Sequence, residues 1–346
     1  MNYTYPEIKS QYEALRRTYE YILERRTELS GFFKTRSHRS LAYIGCGSSY
    51  YLCQSAELSA RVRLGVPAVA LAAGDLLLNY RQYLKMLEGS LMIVPTRSGS
   101  TSEVLLAVTQ VKALLPVPVL AITCVENSEL SQVADLTLEL PWAFDESVCQ
   151  TRTVTNLYLA NLLIVAIRGG DEPLIADIDS AIRQGEAFMS RYEPALRDLA
   201  AADWQDAVVL ADGEMQGIAC EGALAFTEIA RVPGRYYHLL DVRHGPMVLI
   251  NDHTLVIVCL NSRPSRYQDD LIRDLLQKGA TVVTYSDAPL PTLDGVSLEA
   301  TSGLNLDDAV RGIPFIFIPQ ALAYYKAIQK GINPDQPAGL DPWIKL

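Results

Sequence analysis

Residues 40–50 read SLAYIGCGSSY, and residues 91–102 read LMIVPTRSGSTS. In each, a short apolar run breaks at a loop of glycine and hydroxyl side chains, and a helical pattern follows. An apolar run of this length between such boundaries reads as a buried strand. Working outward, PAVALAAG (67–74), VPVLAITC (117–124) and DLTLELP (135–141) repeat the strand signal. Helical patterns run to Gly65, over about 101–115 and over 152–168, with a short helical turn at NSELSQVA (127–134). Strands alternating with helices predict βαβ units and a parallel sheet.

The pattern then starts again. DAVVLADG (206–213), HTLVIVCL (253–260) and TVVTYS (281–286) read as strands. QGIACEGALAFTEIARV (216–232), stopped by Pro233-Gly234, and RYQDDLIRDLLQKG (266–279) read as helices, and the apolar tract GIPFIFIPQALAYYKAIQKG (312–331) follows. The expected division is an N-terminal helix over 1–30, a first α/β domain over 31–170, a connecting helix over 171–200, a second α/β domain over 201–332 and a tail over 333–346. The 171–200 segment keeps helical periodicity and has no Gly/Ser run, so it is not a flexible linker.

Composition narrows the function. The 346 residues carry a net charge of -10 and a pI near 5.0, which argues against a nucleic-acid binder, since phosphate-backbone affinity needs clustered Lys and Arg. LYLANLLIVAI (157–167) is too short to span a bilayer, and the first residues show no basic-then-apolar leader pattern. The expectation is a cytoplasmic protein without membrane or nucleic-acid partners. The six cysteines (46, 53, 124, 149, 220 and 259) have no CxxC spacing and read as buried reduced thiols.

The loops GCGSSY (45–50) and TRSGSTS (96–102) both follow strands and open helices. In open α/β sheets, ligands bind beyond the carboxyl ends of the strands where the strand order reverses. Free N–H groups and the positive helix end would point into that crevice, with Ser and Thr hydroxyls as added donors, forming a nearly neutral cradle for a phosphate. Neither loop has the GxGxxG or Gly-Lys-Ser/Thr pattern of nucleotide sites. In the second domain, Glu221 and Glu228 lie seven residues apart on one helix, and His244 precedes a Gly-Pro turn. A carboxylate and an imidazole suit proton transfer at carbon and at hydroxyls. Four histidines without metal spacing make a metal site unexpected, no cofactor is expected, and no GxSxG elbow occurs.

Taken in order, CGSSY, RSGSTSE, CEGALAFTEI and RHGP resemble the sugar isomerase (SIS) double-domain family, including the isomerase half of glutamine:fructose-6-phosphate amidotransferase. The resemblance covers nearly the whole chain and implies two flavodoxin-like α/β/α subdomains. It places a sugar phosphate on Ser48, Ser49, Thr96, Ser98 and Thr101. It sets Val148 and Gln150 around the sugar, where Gly47, Arg97 and Glu221 are further candidates; the synthase has Gln at the position of Arg97, so the resemblance leaves open whether Arg97 reaches the phosphate or pairs with an acid at a subunit interface. It makes Glu228 the group that moves a proton between C1 and C2, and His244 the ring-opening group. In the family that histidine comes from the neighbouring subunit, which implies a homodimer with shared sites.

Departures from the synthase pattern shape the expected reaction. The glutaminase half has no counterpart ahead of residue 30, so no glutaminase activity is expected. Ala225 stands where the synthase helix has Lys, and Ala338 and Pro342 stand where its tail has Arg and Lys, with Lys345 nearby but out of register. Without the lysine that forms a Schiff base with the ketose, a substrate already bearing nitrogen is favoured. That points to a fructosamine-6-phosphate deglycase type of reaction. The alternatives are an aldose/ketose (amino)sugar-phosphate isomerase or deaminase/isomerase, and a noncatalytic phosphosugar sensor. The sensor is disfavoured because Glu228 and His244 are both present and no helix-turn-helix precedes residue 40.

Overall fold

The computed structural model describes residues 3–35, 38–263, 265–287 and 294–346; the first two residues of the expected N-terminal helix lie outside these. The remainder of that segment divides into α1 (Thr4–Lys9), α2 (Gln11–Glu24) and α3 (Arg26–Thr35). It breaks at Ser10 and Arg25, both turn-like in their backbone angles. By internal contacts the chain forms two units. The first is Ser10–Asp179 with Asp341–Leu346, and the second is Met1–Lys9 with Ser180–Leu340. The expected tail is thus shared between them, and α1 belongs with the second unit: the backbone N–H groups of Tyr3 and Thr4 both donate to the Asp335 carboxylate at 2.9 Å.

In the first unit β1 (Ser40–Gly45) leads into α4 (Ser48–Leu64), which ends on the left-handed Gly65. Then come β2 (Ala68–Ala72), α5 (Ala73–Leu87), β3 (Ser90–Thr96), α6 (Ser102–Leu114), β4 (Val119–Thr123), β5 (Leu136–Glu139) and α7 (Arg152–Gly169). The strands form one parallel sheet in the order β2-β1-β3-β4-β5. Every residue of β3 and β4 is buried, as expected of central strands covered on both faces. Ala42, Ile44, Met92, Val94, Val119 and Ala121 pack one face against Leu76 and Leu87 of α5 and Val104, Val108 and Val111 of α6. On α7, fifteen consecutive residues from Thr153 to Ile167 are buried, so the apolar run that is too short for a membrane is a core helix.

α5 has no counterpart among the helices expected from the sequence. Its signal was available, since Leu76, Tyr80, Tyr83 and Leu87 recur at helical spacing.

The segment after α7 is one continuous helix, α8 (Glu172–Ala200). The second unit continues with β6 (Asp206–Leu210), α9 (Gln216–Glu228), β7 (Gly234–Tyr237), β8 (Thr254–Cys259), α10 (Arg266–Gln277), β9 (Thr281–Ser286), β10 (Leu298–Thr301), α11 (Gly312–Phe315) and α12 (Phe317–Gln329). Its parallel order, β10-β9-β8-β6-β7, repeats the plan of the first sheet, with the first strand of the unit at the reversal of order. Val208, Leu210, Val256, Val258 and Val282 pack on Leu271, Ile272 and Leu275 of α10. The edge strands β7 and β10 add to the strands expected from apolar runs. Both are four residues long and largely half-buried, so neither makes an apolar run. No helix among the described residues is long and apolar enough to cross a membrane.

Candidate active site

β1 pairs with β2 on one side and β3 on the other, so the strand order reverses at β1 and ligands are expected beyond its carboxyl end. The two hydroxyl loops leave adjacent strands at that same edge. At the first, Gly45 lets the helix close down on the strand: a Cβ there would lie 2.7 Å from Ser49 C and Tyr50 N. Gly47, at φ 52°, makes the turn, and Ser48 and Ser49 open α4 with side chains almost fully buried. Gly45→Ala is expected to destabilise the first unit by about 1–3 kcal/mol through overpacking. A urea-unfolding midpoint equal to wild type would refute that packing argument.

The second loop is built by its own hydroxyls. Gly99 N donates to Thr96 Oγ1 (3.3 Å) and Ser100 N donates to Ser98 Oγ (3.2 Å). Gly99 has φ 63° and would place a Cβ 2.3 Å from Ser128 Oγ, so position and conformation both require glycine. Thr101 stands at the N-cap of α6 in extended conformation, and its side chain makes no capping bond. Its hydroxyl is therefore not committed to the cap. The C-terminal tail reaches this loop: Ser102 N donates to Ile344 O (3.2 Å) and Leu346 N donates to Ser102 Oγ (3.0 Å). One of the α6 N–H donors is thereby used, and the exposed Lys345 lies between the two residues that hold Ser102.

Arg97 is placed differently from a phosphate ligand. Its guanidinium is buried and donates to Ser147 O (2.7 Å), Asp145 O (3.5 Å) and Pro342 O (2.6 Å). The segment it grips carries Val148 and Gln150, both half-buried. This segment is also tied to the start of α7, where the Asp145 carboxylate accepts from Thr151 N (2.7 Å) and Thr153 N (2.8 Å). Burial raises the pKa of Asp145, while those two N–H groups and the nearby Arg152 and Arg97 oppose the rise. Gln150 presents a buried amide oxygen with no hydrogen-bond partner among the described residues. Such an atom suits a ligand hydroxyl or amine. Neither Asp145 nor the tail carbonyls were among the sequence candidates, because nothing in their local pattern marks residues that meet only through the fold.

In the second unit Glu221 and Glu228 share α9 but not an environment. Glu221 is buried and Glu228, the last residue of α9, is half-buried. Gly222 lets α9 pack closely on α12, since a Cβ there would meet Pro319 at 2.9 Å. Glu228 lies at the edge where β7 begins, because Gly234 N donates to the neighbouring Thr227 Oγ1 (3.2 Å). His244 comes after the far end of β7, exposed on a loop between two short 3₁₀ turns and beside Gly245 at φ 127°. The chain therefore sets the two proton-transfer candidates at opposite ends of a strand. Burial pushes the Cys46 thiol up to about 11 and the Cys220 thiol up to about 12, so neither is a nucleophilic thiolate near neutral pH. No group of His, Cys, Asp and Glu able to hold a metal occurs among the described residues.

Comparison with known proteins agrees with this architecture. The SIS domain model matches residues 35–167. The D-galactosamine-6-phosphate deaminase AgaS of Shewanella sp. (strain ANA-3) is 30% identical over 351 residues, covering 97% of this chain and 87% of the relative. The glutamine--fructose-6-phosphate aminotransferase of Escherichia coli (strain K12) is 27% identical over 307 residues, and the match covers 86% of this chain but only 50% of the relative. The chain thus spans about half the length of that enzyme. Among solved structures, a glucosamine-6-phosphate deaminase from Thermotoga maritima superposes with TM-score 0.84 at 24% identity over 100% of both chains. A tagatose-6-phosphate ketose/aldose isomerase from Escherichia coli superposes with TM-score 0.86 at 23% identity, over 99% of this chain and 96% of that one. The doubled parallel sheet, the paired hydroxyl loops and the full-length relative lead to one conclusion: the chain belongs to the SIS domain family.

Proposed function

We propose that this protein is a sugar-phosphate enzyme that moves a proton between C1 and C2 of a 2-amino-2-deoxy 6-phosphosugar and releases the amine, as an amino-sugar-phosphate deaminase/isomerase. The observation that carries this reading is the similarity, over 97% of the chain, to a relative named as a D-galactosamine-6-phosphate deaminase. The residues support it. The hydroxyl loops and helix N-termini of the first unit hold the phosphate, and the free amide oxygen of Gln150 meets the sugar. Ala225 leaves no amine on α9 for a Schiff base, which a substrate already bearing nitrogen does not need.

Once the ring opens with help from His244, Glu228 takes the C2 proton and returns it at C1. The C2 amine becomes a ketiminium, water adds at C2, the C–N bond breaks with its electron pair on nitrogen, and ketose phosphate and ammonia leave. A fructosamine-6-phosphate deglycase uses the same shuttle in the opposite direction, from C1 to C2, and is the second reading, favoured by the same absence of lysine at Ala225. Separate incubations with galactosamine 6-phosphate, glucosamine 6-phosphate, tagatose 6-phosphate and fructoselysine 6-phosphate decide the matter. Ammonia from an amino sugar is the expected result. Release of glucose 6-phosphate from fructoselysine 6-phosphate alone would establish the deglycase, and turnover of none would refute the enzyme.

The active unit is a homodimer in which His244 serves the partner's site. Support comes from its exposed loop, where Leu240, Val248 and Leu249 present apolar side chains to solvent. Mixing inactive Glu228→Gln and His244→Gln proteins after subunit exchange should then restore about a quarter of wild-type activity, because each mixed dimer keeps one intact site. Absence of any recovery would place His244 in its own subunit's site.

A further inference from the structure

We infer that Arg97 is a positioning residue: its buried guanidinium clips the sugar-side segment 145–147 and the C-terminal tail to the phosphate loop, instead of binding the phosphate itself. The inference rests on the phosphosugar reading for its catalytic consequence and on geometry for the clip. A guanidinium is a rigid fork of donors, and burying it is costly unless those donors are met. Here the two terminal nitrogens meet carbonyls from two distant stretches, one nitrogen donating to Asp145 O and Ser147 O and the other to Pro342 O, with the Phe144 ring centroid 6.0 Å from the guanidinium carbon.

The backbone of Arg97 is fixed as well, since its carbonyl accepts from Cys124 N at 3.0 Å. Carbonyls satisfy donors without cancelling charge. The buried Asp145 carboxylate, whose ion pair is with Arg152 (3.7 Å), adds negative charge nearby while capping the start of α7 through Thr151 N and Thr153 N. Three segments remote in sequence are thereby joined: the loop that holds phosphate, the stretch bearing Val148 and Gln150, and the tail that also pairs with Ser102. To reach a phosphate, Arg97 would have to abandon this set. Its role is to fix the distance between the phosphate cradle and the Gln150 amide, so that the sugar carbons lie in register for proton transfer.

Lysine keeps the charge but not the fork, so Arg97→Lys and Arg97→Gln in the full chain separate the two roles. For both variants kcat/KM for the amino-sugar phosphate should fall about 10²-fold, the scale of a misplacement of about 1 Å. The inhibition constant of inorganic phosphate should stay within about threefold. Amide exchange at Thr151 and Thr153 should accelerate while Leu41 and Met92 in the sheet keep their protection. Near-wild-type activity of Arg97→Lys, or a phosphate inhibition constant that rises in step with KM, would overturn the assignment. Should the variants fail to fold, the wild-type protein decides. Saturating inorganic phosphate must leave exchange of residues 146–153 unchanged or slower, whereas acceleration would mean that Arg97 releases the segment to take the anion. A wild-type protein that turns over no phosphosugar would refute the functional reading and leave the exchange data to judge the clip.

Discussion

Glu228→Gln is expected to lower kcat by about 10²–10⁴-fold, the range lost when a positioned general base is removed, with substrate binding within about threefold of wild type. The amide is nearly the same size as the carboxylate, and Glu228 sits half-buried at the end of α9, so the backbone has no reason to move. The diagnostic measurement is solvent deuterium uptake at C1 and C2 of bound substrate. It should vanish in the variant together with ammonia release. A variant that releases no ammonia yet still exchanges deuterium would assign the base elsewhere and restrict Glu228 to the later steps. Full activity would remove it from the mechanism.

Ser98→Ala combined with Thr101→Ala should raise KM for the phosphosugar at least about tenfold. The rise should reach about 10³-fold if both hydroxyls donate directly to the dianion, since hydrogen bonds to charged groups contribute about 1.5–3 kcal/mol each. The chain offers the phosphate helix N-termini and hydroxyls, and the one arginine in the loop is committed to carbonyls. The donors expected to remain are the hydroxyls of Ser48, Ser49 and Thr96 and the helix N-termini, none of them a cation. The two positions should differ when changed singly. Ser98 also accepts from Ser100 N and shapes the turn, so Ser98→Ala should lower kcat as well as raise KM. Thr101 makes no capping bond, so Thr101→Ala should act on KM alone. An unchanged KM in the double variant would show that the phosphate lies elsewhere.

The central strands were readable because burial on both faces leaves long apolar runs bounded by glycine and hydroxyl loops, and all of β1, β3, β4, β6, β8 and β9 arose from such runs. The edge strands β7 and β10 were not, although the edge strands β2 and β5 were: GRYY and LEAT carry too few apolar residues to make a run, whereas AVALA and LTLE sit in longer apolar alternations. α5 was legible in principle, since Leu76, Tyr80, Tyr83 and Leu87 form an apolar stripe at helical spacing. Glu221 and Glu228 show the limit of spacing arguments. Seven residues place both on one face of a helix, but only the packing of α9 leaves Glu221 buried and Glu228 half-buried.

By itself the sequence determined the doubled α/β plan and the two hydroxyl loops, because strand burial, turn chemistry and helix starts are local properties of neighbouring residues. It also determined which residue types are on hand for proton transfer, and that Ala225 is not a lysine. Tertiary structure alone decided that the two loops leave adjacent strands, and that the N-terminal segment breaks into three helices. It also decided that Arg97 is committed to Asp145 O, Ser147 O and Pro342 O. The physical reason is sequence distance: those partners lie about 50 and 245 residues from Arg97, and a backbone carbonyl leaves no mark in the residue that carries it.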